Sequence, residues 1–181
     1  MSLIPFGFWA ASGGGAAGAY DLLETTTLAT SASSVTFTGL GSYSDYAHLQ
    51  VRLTATLNLS TQIQIRFNSD SGSNYSWHYL QGSNGSVSSF GAGSQTQIAF
   101  NNLGTSDHQS SSILDILDFS ASNKNTTTRA LSSGKAGSNP TVALYGGGWF
   151  NTNAVTSFEL IGNTRIFDSG SRFSLYGIKG A

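Results

Sequence analysis

Cysteine is absent from this chain of 181 residues, proline occurs twice, and charged residues make up only 9%. Without cysteine there are no disulfides, no zinc ribbon and no thiol chemistry. A domain of this size must then be held together by packing or by oligomerising. An average globular chain carries about 25% charged residues. The formal net charge is -1, so there is no basic field to attract nucleic acid or an anionic membrane. Long hydrophobic runs are missing as well. The longest apolar stretch, Met1 to Ala19, is broken by Pro5, Gly7 and Gly13-Gly14-Gly15, so it reads as no membrane span. Ala16-Ala17-Gly18-Ala19 has the small residues of a cleavage zone, but no Lys or Arg precedes the apolar stretch, and a cleaved signal peptide is not expected.

What the chain has instead is Gly, Ser, Thr and Asn, which together form roughly 45% of it. Aromatic residues stand at 12%, which argues against disorder. This composition suits strands joined by tight turns, and surfaces that pack on other protein. The length is that of one domain.

Residues 1–19 read as an N-terminal arm, with Phe6, Phe8 and Trp9 ahead of a Gly/Ala hinge at Gly13 to Gly18. The arm either folds back on its own domain or buries its aromatics in another chain. From Tyr20 to Ala181, apolar residues alternate with polar ones at period two. Leu49, Val51, Leu53, Ala55 and Leu57 form one such series; Ile63, Ile65 and Phe67 form another; Tyr75, Trp77 and Tyr79 a third. Further strands are expected around Val35 to Phe37, Gln95 to Phe100, Ser112 to Phe119, Thr126 to Leu131, Thr141 to Tyr145, Ser157 to Ile161 and Arg172 to Ile178. Turn clusters at Asn68 to Gly72, Gly82 to Gly85 and Gly146-Gly147-Gly148 separate them. No stretch keeps a helical period for three turns. Eight to ten short strands without a βαβ pattern predict an all-β fold, an antiparallel β-sandwich of jelly-roll type with an extended N-terminal arm. Ser112 to Phe119 is unusual in being apolar on both faces, with Ile113, Leu117 and Phe119 on one and Leu114 and Ile116 on the other. Such a strand sits between two covered surfaces or at a subunit interface.

Few residues suggest chemistry. The glycines at Gly13 to Gly18 satisfy a dinucleotide fingerprint literally, but no strand precedes them and no helix follows. His48, His78 and His108 lack ligand spacing, and no Gly-x-Ser-x-Gly occurs. Asp115 and Asp118 would need a fixed separation across a cleft to act as a glycosidase pair. Catalysis, cofactors and bound metals are therefore not expected. Asn68-x-Asp70-x-Gly72-x-Asn74 is faintly like a calcium loop, but has one formal charge and no bidentate Glu, and reads more simply as a turn. Tyr75, Trp77 and Tyr79 share one strand face, which suits either a core, an interface or contact with a glycan. Trp149, after the glycine triplet, is expected to be exposed and is a second candidate for such contact.

Tyr20 to Leu28, Ser34 to Phe37, Arg66 to Tyr75 and Ser171 to Ile178, with the opening Ile4 to Gly13, resemble segments of virion structural proteins of tailed phages from marine and environmental sources. These segments run from one end of the chain to the other and are patterns of strands and turns, not active-site signatures. The resemblance implies a non-enzymatic component of the virion, a single jelly-roll module of the capsid decoration (cement) or small spike type. It implies other virion proteins, of capsid or tail, as partners, and a homo-oligomer, with a trimer expected. Attachment to the particle would fall to Phe6, Phe8 and Trp9. The alternative is a tail fibre or receptor-binding module that recognises a host surface glycan.

Overall fold

The computed structural model describes residues 19–59, 61–101, 108–136 and 139–180. The arm residues Phe6, Phe8 and Trp9 and the Gly13 to Gly18 hinge lie outside the described residues. The alternating segments form β1 (Tyr20–Thr27), β2 (Ser34–Phe37), β3 (His48–Ala55), β4 (Ile63–Phe67), β5 (Tyr75–Ser83), β6 (Ser86–Gln95), β7 (Ile98–Asn101), β8 (Ser110–Leu117), β9 (Thr126–Ala136), β10 (Asn139–Trp149), β11 (Phe158–Ile161) and β12 (Arg172–Ile178). A 3₁₀ turn at Leu40–Tyr43 is the one helical element among the described residues.

The strands build two antiparallel sheets packed as a sandwich. One has eight strands in the order β1-β12-β3-β8-β9-β10-β5-β6, the other four in the order β2-β11-β4-β7. Setting aside β5, β6, β9 and β10 leaves eight strands. Ranked along the chain, they run first-eighth-third-sixth in one sheet and second-seventh-fourth-fifth in the other. That is the double Greek key of a jelly roll. The remaining strands are two hairpins, β5–β6 and β9–β10, which extend the large sheet beyond β8.

Alternation explains the core. Leu49, Val51 and Leu53 of β3, Leu114 and Ile116 of β8, and Phe173 and Leu175 of β12 point inward from the large sheet. They meet Phe37, Ile65, Phe67, Phe158 and Leu160 of the small sheet, all buried. β7 packs over β9, β10 and β5, so the small sheet covers the root of both hairpins. The outer face of the eight-stranded sheet has no second sheet over it among the described residues.

Three local expectations differ from the structure. Gly146-Gly147-Gly148 is no turn but lies inside β10, paired with both β5 and β9. A Cβ on Gly147 would lie 2.5 Å from Ile98 Cγ2 and 2.9 Å from Thr128 Oγ1, so the bare backbone there lets β7 approach. Gln95 to Phe100 is not one strand: β6 ends at Gln95 and β7 begins at Ile98. Phe119 does not share a face with Ile113. Asp118 has φ 52°, which breaks the alternation and turns the Phe119 ring into the core.

Candidate functional site: the outer face of the large sheet

The side chains expected to make contacts are mostly interior. Tyr75 is fully buried, and Trp77 nearly so. Trp149 is 1% exposed, against the expectation that it would face solvent, because β10 runs straight through the glycines and carries it inward. Tyr75, Trp149 and Phe67 form one ring cluster, with centroids 5.6–6.5 Å apart. Of the four, only Tyr79 is partly open, and it stacks on Trp77 and packs against Tyr145 and Phe90. Buried rings offer no platform to a sugar, so the glycan expectation loses Tyr75, Trp77 and Trp149.

Asp70 holds this cluster together. Its carboxylate accepts hydrogen bonds from Gly72 N–H (2.8 Å), Asn74 Nδ2 (3.0 Å) and Trp149 Nε1 (2.8 Å). The Asn74 and Trp149 donors, with Gly72 N–H, hold its pKa below the usual carboxylate value. Tyr75 Oη accepts from Phe67 N–H and donates to the Asp70 carbonyl, and burial pushes its pKa up to about 12. The Asn68–Asn74 segment is therefore a turn clasped by its own side chains, with both Asp70 oxygens already engaged.

Asp115 and Asp118 do not form a pair across a cleft. Asp115 stands on the outer sheet face and accepts from Gln50 Nε2 and Arg129 Nε, each at 2.7 Å. Asp118 lies in the turn after β8, 2.7 Å from Lys124 Nζ, which lowers its pKa. The donors that a strand with apolar residues on both faces demands are thus found for both carboxylates.

Among the described residues, the surface that lacks partners is a row the sequence scatters. Antiparallel register places Ile113 of β8 opposite Leu131 of β9, Leu131 opposite Leu144 of β10, and Leu144 opposite Leu80 of β5. All four point out of the large sheet, 42% to 55% exposed. At about 4.8 Å between strands, the row is about 14 Å long. Val142 and Val87 extend it on either side of Gly82, at 52% and 77% exposed. Single exposed apolar residues need no explanation, but a contiguous patch of several hundred Å² marks a contact surface.

A polar line runs beside it. Arg52 Nε donates to Gln50 Oε1 (2.7 Å), Gln50 donates to Asp115, and Arg129 donates to the other Asp115 oxygen. Arg52 also lies over the Tyr176 ring, 4.6 Å from its centroid, and 5.4 Å from that of Tyr20. Both Asp115 oxygens are engaged in this line, while Arg52 and Arg129 each donate to it through Nε, and the Arg129 side chain is 72% exposed. Open grooves of about 460 Å³ and 410 Å³ flank Ile113 and Leu131, one floored by Ser111 and Ser133, the other by Asp115 and Arg129. The arrangement suits dry, non-covalent contact with another surface.

No protein-family profile matches the chain, and no curated protein does. Among solved structures, the CBM2 module of the evolved Dit of Lactobacillus casei BL23 phage J-1 is similar at 10% identity, over 87% of this chain and 76% of that one. The TM-score of 0.17 is too low to indicate a shared fold.

Proposed function

We propose that this chain is a non-enzymatic structural protein of a tailed-phage virion, an oligomeric jelly roll that docks on the particle surface as a decoration protein or small spike. The observation that carries this reading is the exposed row Ile113-Leu131-Leu144-Leu80 on the outer face of the large sheet. The jelly-roll order, the very low charge and the resemblance of its strand and turn segments to virion proteins support it. The partner is another virion protein that presents a complementary apolar surface. In this reading, Phe6, Phe8 and Trp9 supply a second attachment element.

The test is co-sedimentation of the purified protein with particles that lack it. Leu131→Asp with Leu80→Asp places two carboxylates in the row, two strands apart, on side chains that face solvent. The variant is expected to keep the wild-type circular dichroism spectrum and melting temperature within a few degrees, and to lose particle binding at least tenfold. Unchanged binding would overturn the reading.

A further inference from the structure

The sheets end in strands of different character. β2 and β7 are four residues each, too short to recruit a neighbour along much length. β1 carries Asp21 and Glu24 and a bulge between Leu22 and Glu24, the usual protections of an edge. β6 is ten residues long, Ser-Val-Ser-Ser-Phe-Gly-Ala-Gly-Ser-Gln, with no charge and no proline, and its own bulge, where Ser94 has φ 52°, comes after Ala92 and leaves Val87 to Gly91 regular. It is exposed over most of its length, including Val87 at 77% and Phe90 at 55%, and no described strand pairs with its far side.

The turn that launches β6 fixes which of its backbone groups face outward. Asn84 and Gly85 have φ 45° and 79°, a two-residue type I′ turn that joins Ser83 to Ser86. In such a turn the Ser86 N–H bonds back to the Ser83 carbonyl. Direction alternates along a strand, so Ser86, Ser88 and Phe90 bond to β5, while the N–H and C=O of Val87, Ser89 and Gly91 point away from the sheet. His78 and Gly91 agree with this. They form a non-bonded pair, in which side chains come closest, and a Cβ on Gly91 would collide with the imidazole.

We infer that β6 pairs antiparallel with β6 of a second copy of this chain about a two-fold axis. Two-fold self-pairing brings the residue on the axis opposite its own copy, where a charge would meet its like; β6 has no charge at any position. The register that uses all three outward residues puts Ser89 opposite its own counterpart and Val87 opposite the second copy's Gly91. Leu80 sits opposite Ser89 within each chain, so in this same register the two apolar rows fall on one line. The two outer faces become one face of a continuous sheet. An isologous contact of this kind closes at two copies, in place of the trimer expected from the sequence. The inference rests on the oligomeric reading above and deepens it.

Ser89→Pro tests it with little harm to the fold, because the N–H removed is one that β5 does not use. Ser89→Lys is the second variant, placing two like charges directly opposite each other on the axis. Sedimentation velocity at tens of micromolar should give wild type at twice 18.9 kDa, with slowed amide exchange at Val87, Ser89 and Gly91. Both variants should be folded monomers, with a dimer dissociation constant weakened at least tenfold and fast exchange at those amides. A wild-type monomer, a Ser89→Lys dimer as tight as wild type, or fast exchange at Val87, Ser89 and Gly91 in the dimer would overturn the pairing. A wild-type monomer that still binds particles would overturn only the pairing, whereas a β6-paired dimer that ignores particles would overturn only the virion reading.

Discussion

One carboxylate shows how a single residue can replace a motif. Asp70 sits in a segment whose alternating oxygens suggest a cation loop, yet its oxygens are committed to Asn74, Trp149 and Gly72. Trp149 Nε1 belongs to a ring that is 1% exposed, so Asp70 satisfies a donor that water does not easily reach. Its pKa is lower in the folded protein than in the unfolded chain, where it is near 3.9. The stabilisation is therefore complete above that value and is lost as pH falls through the folded one. Asp70→Asn keeps an acceptor but removes the charge. It should lower stability at pH 7 by about 1–2 kcal/mol, since hydrogen bonds to charged groups are worth about 1.5–3 kcal/mol. It should also flatten the fall in stability between pH 5 and 2. Urea unfolding of both proteins across that range measures the two effects; parallel pH profiles would show that Asp70 is not the titrating clasp.

At the scale of strands, legibility follows alternation. β3 and β4 read clearly because inward positions are large and apolar and outward ones polar or charged, as in Leu49-Gln50-Val51-Arg52-Leu53. β6 does not read at all. It buries almost nothing, so its sequence obeys turn-like Ser and Gly preferences, and only the hairpin partner β5 makes it a strand. The glycines of β10 mislead for a related reason: they answer to the close approach of Ile98, not to a turn. The apolar row is legible only in hindsight. Each member adds a large apolar side chain on the wrong phase of its strand, beside an inward apolar neighbour: Leu80 after Tyr79, Leu131 after Ala130, Leu144 after Ala143. The strand with two apolar faces was the visible sign, through Ile113 and Leu114, but only register joins four distant residues into one line. The turn that sets the β5–β6 register makes its own prediction. Gly85 has φ 79° and open space where a Cβ would stand, so Gly85→Ala meets only the backbone penalty. That penalty is about 1–2 kcal/mol for a left-handed residue. Thermal unfolding of Gly85→Ala should show that loss with an unchanged spectrum; no loss would mean the turn is not type I′.

At the scale of the whole molecule, the question is whether one apolar row is enough to hold a particle. Burying the exposed half of a Leu or Ile contributes about 1 kcal/mol, half of the roughly 2 kcal/mol for a whole side chain. Ile113, Leu131, Leu144 and Leu80 together supply about 4 kcal/mol on that scale, with Val142 and Val87 adding somewhat less each. Association alone costs about 4–15 kcal/mol in lost translational and rotational freedom. A single row is therefore a weak ligand. Two rows fixed on one line by β6 pairing bind with the second contact intramolecular, which raises avidity by about 10²–10⁴ without a new contact. The chain's low charge sets how such binding responds to solution conditions. Apolar burial is not screened by salt, whereas an interface built on Lys and Arg weakens steeply as the Debye length shrinks from about 10 Å at 0.1 M to about 3 Å at 1 M. The Arg52–Gln50–Asp115–Arg129 line sets one carboxylate between two guanidinium groups and so offers a partner a single net charge. Particle binding by wild type should therefore be unchanged or stronger between 0.1 and 1 M sodium chloride, and Ser89→Pro should weaken it at least tenfold at both concentrations. Loss of wild-type binding at high salt would move the contact from the apolar row to the charged residues beside it.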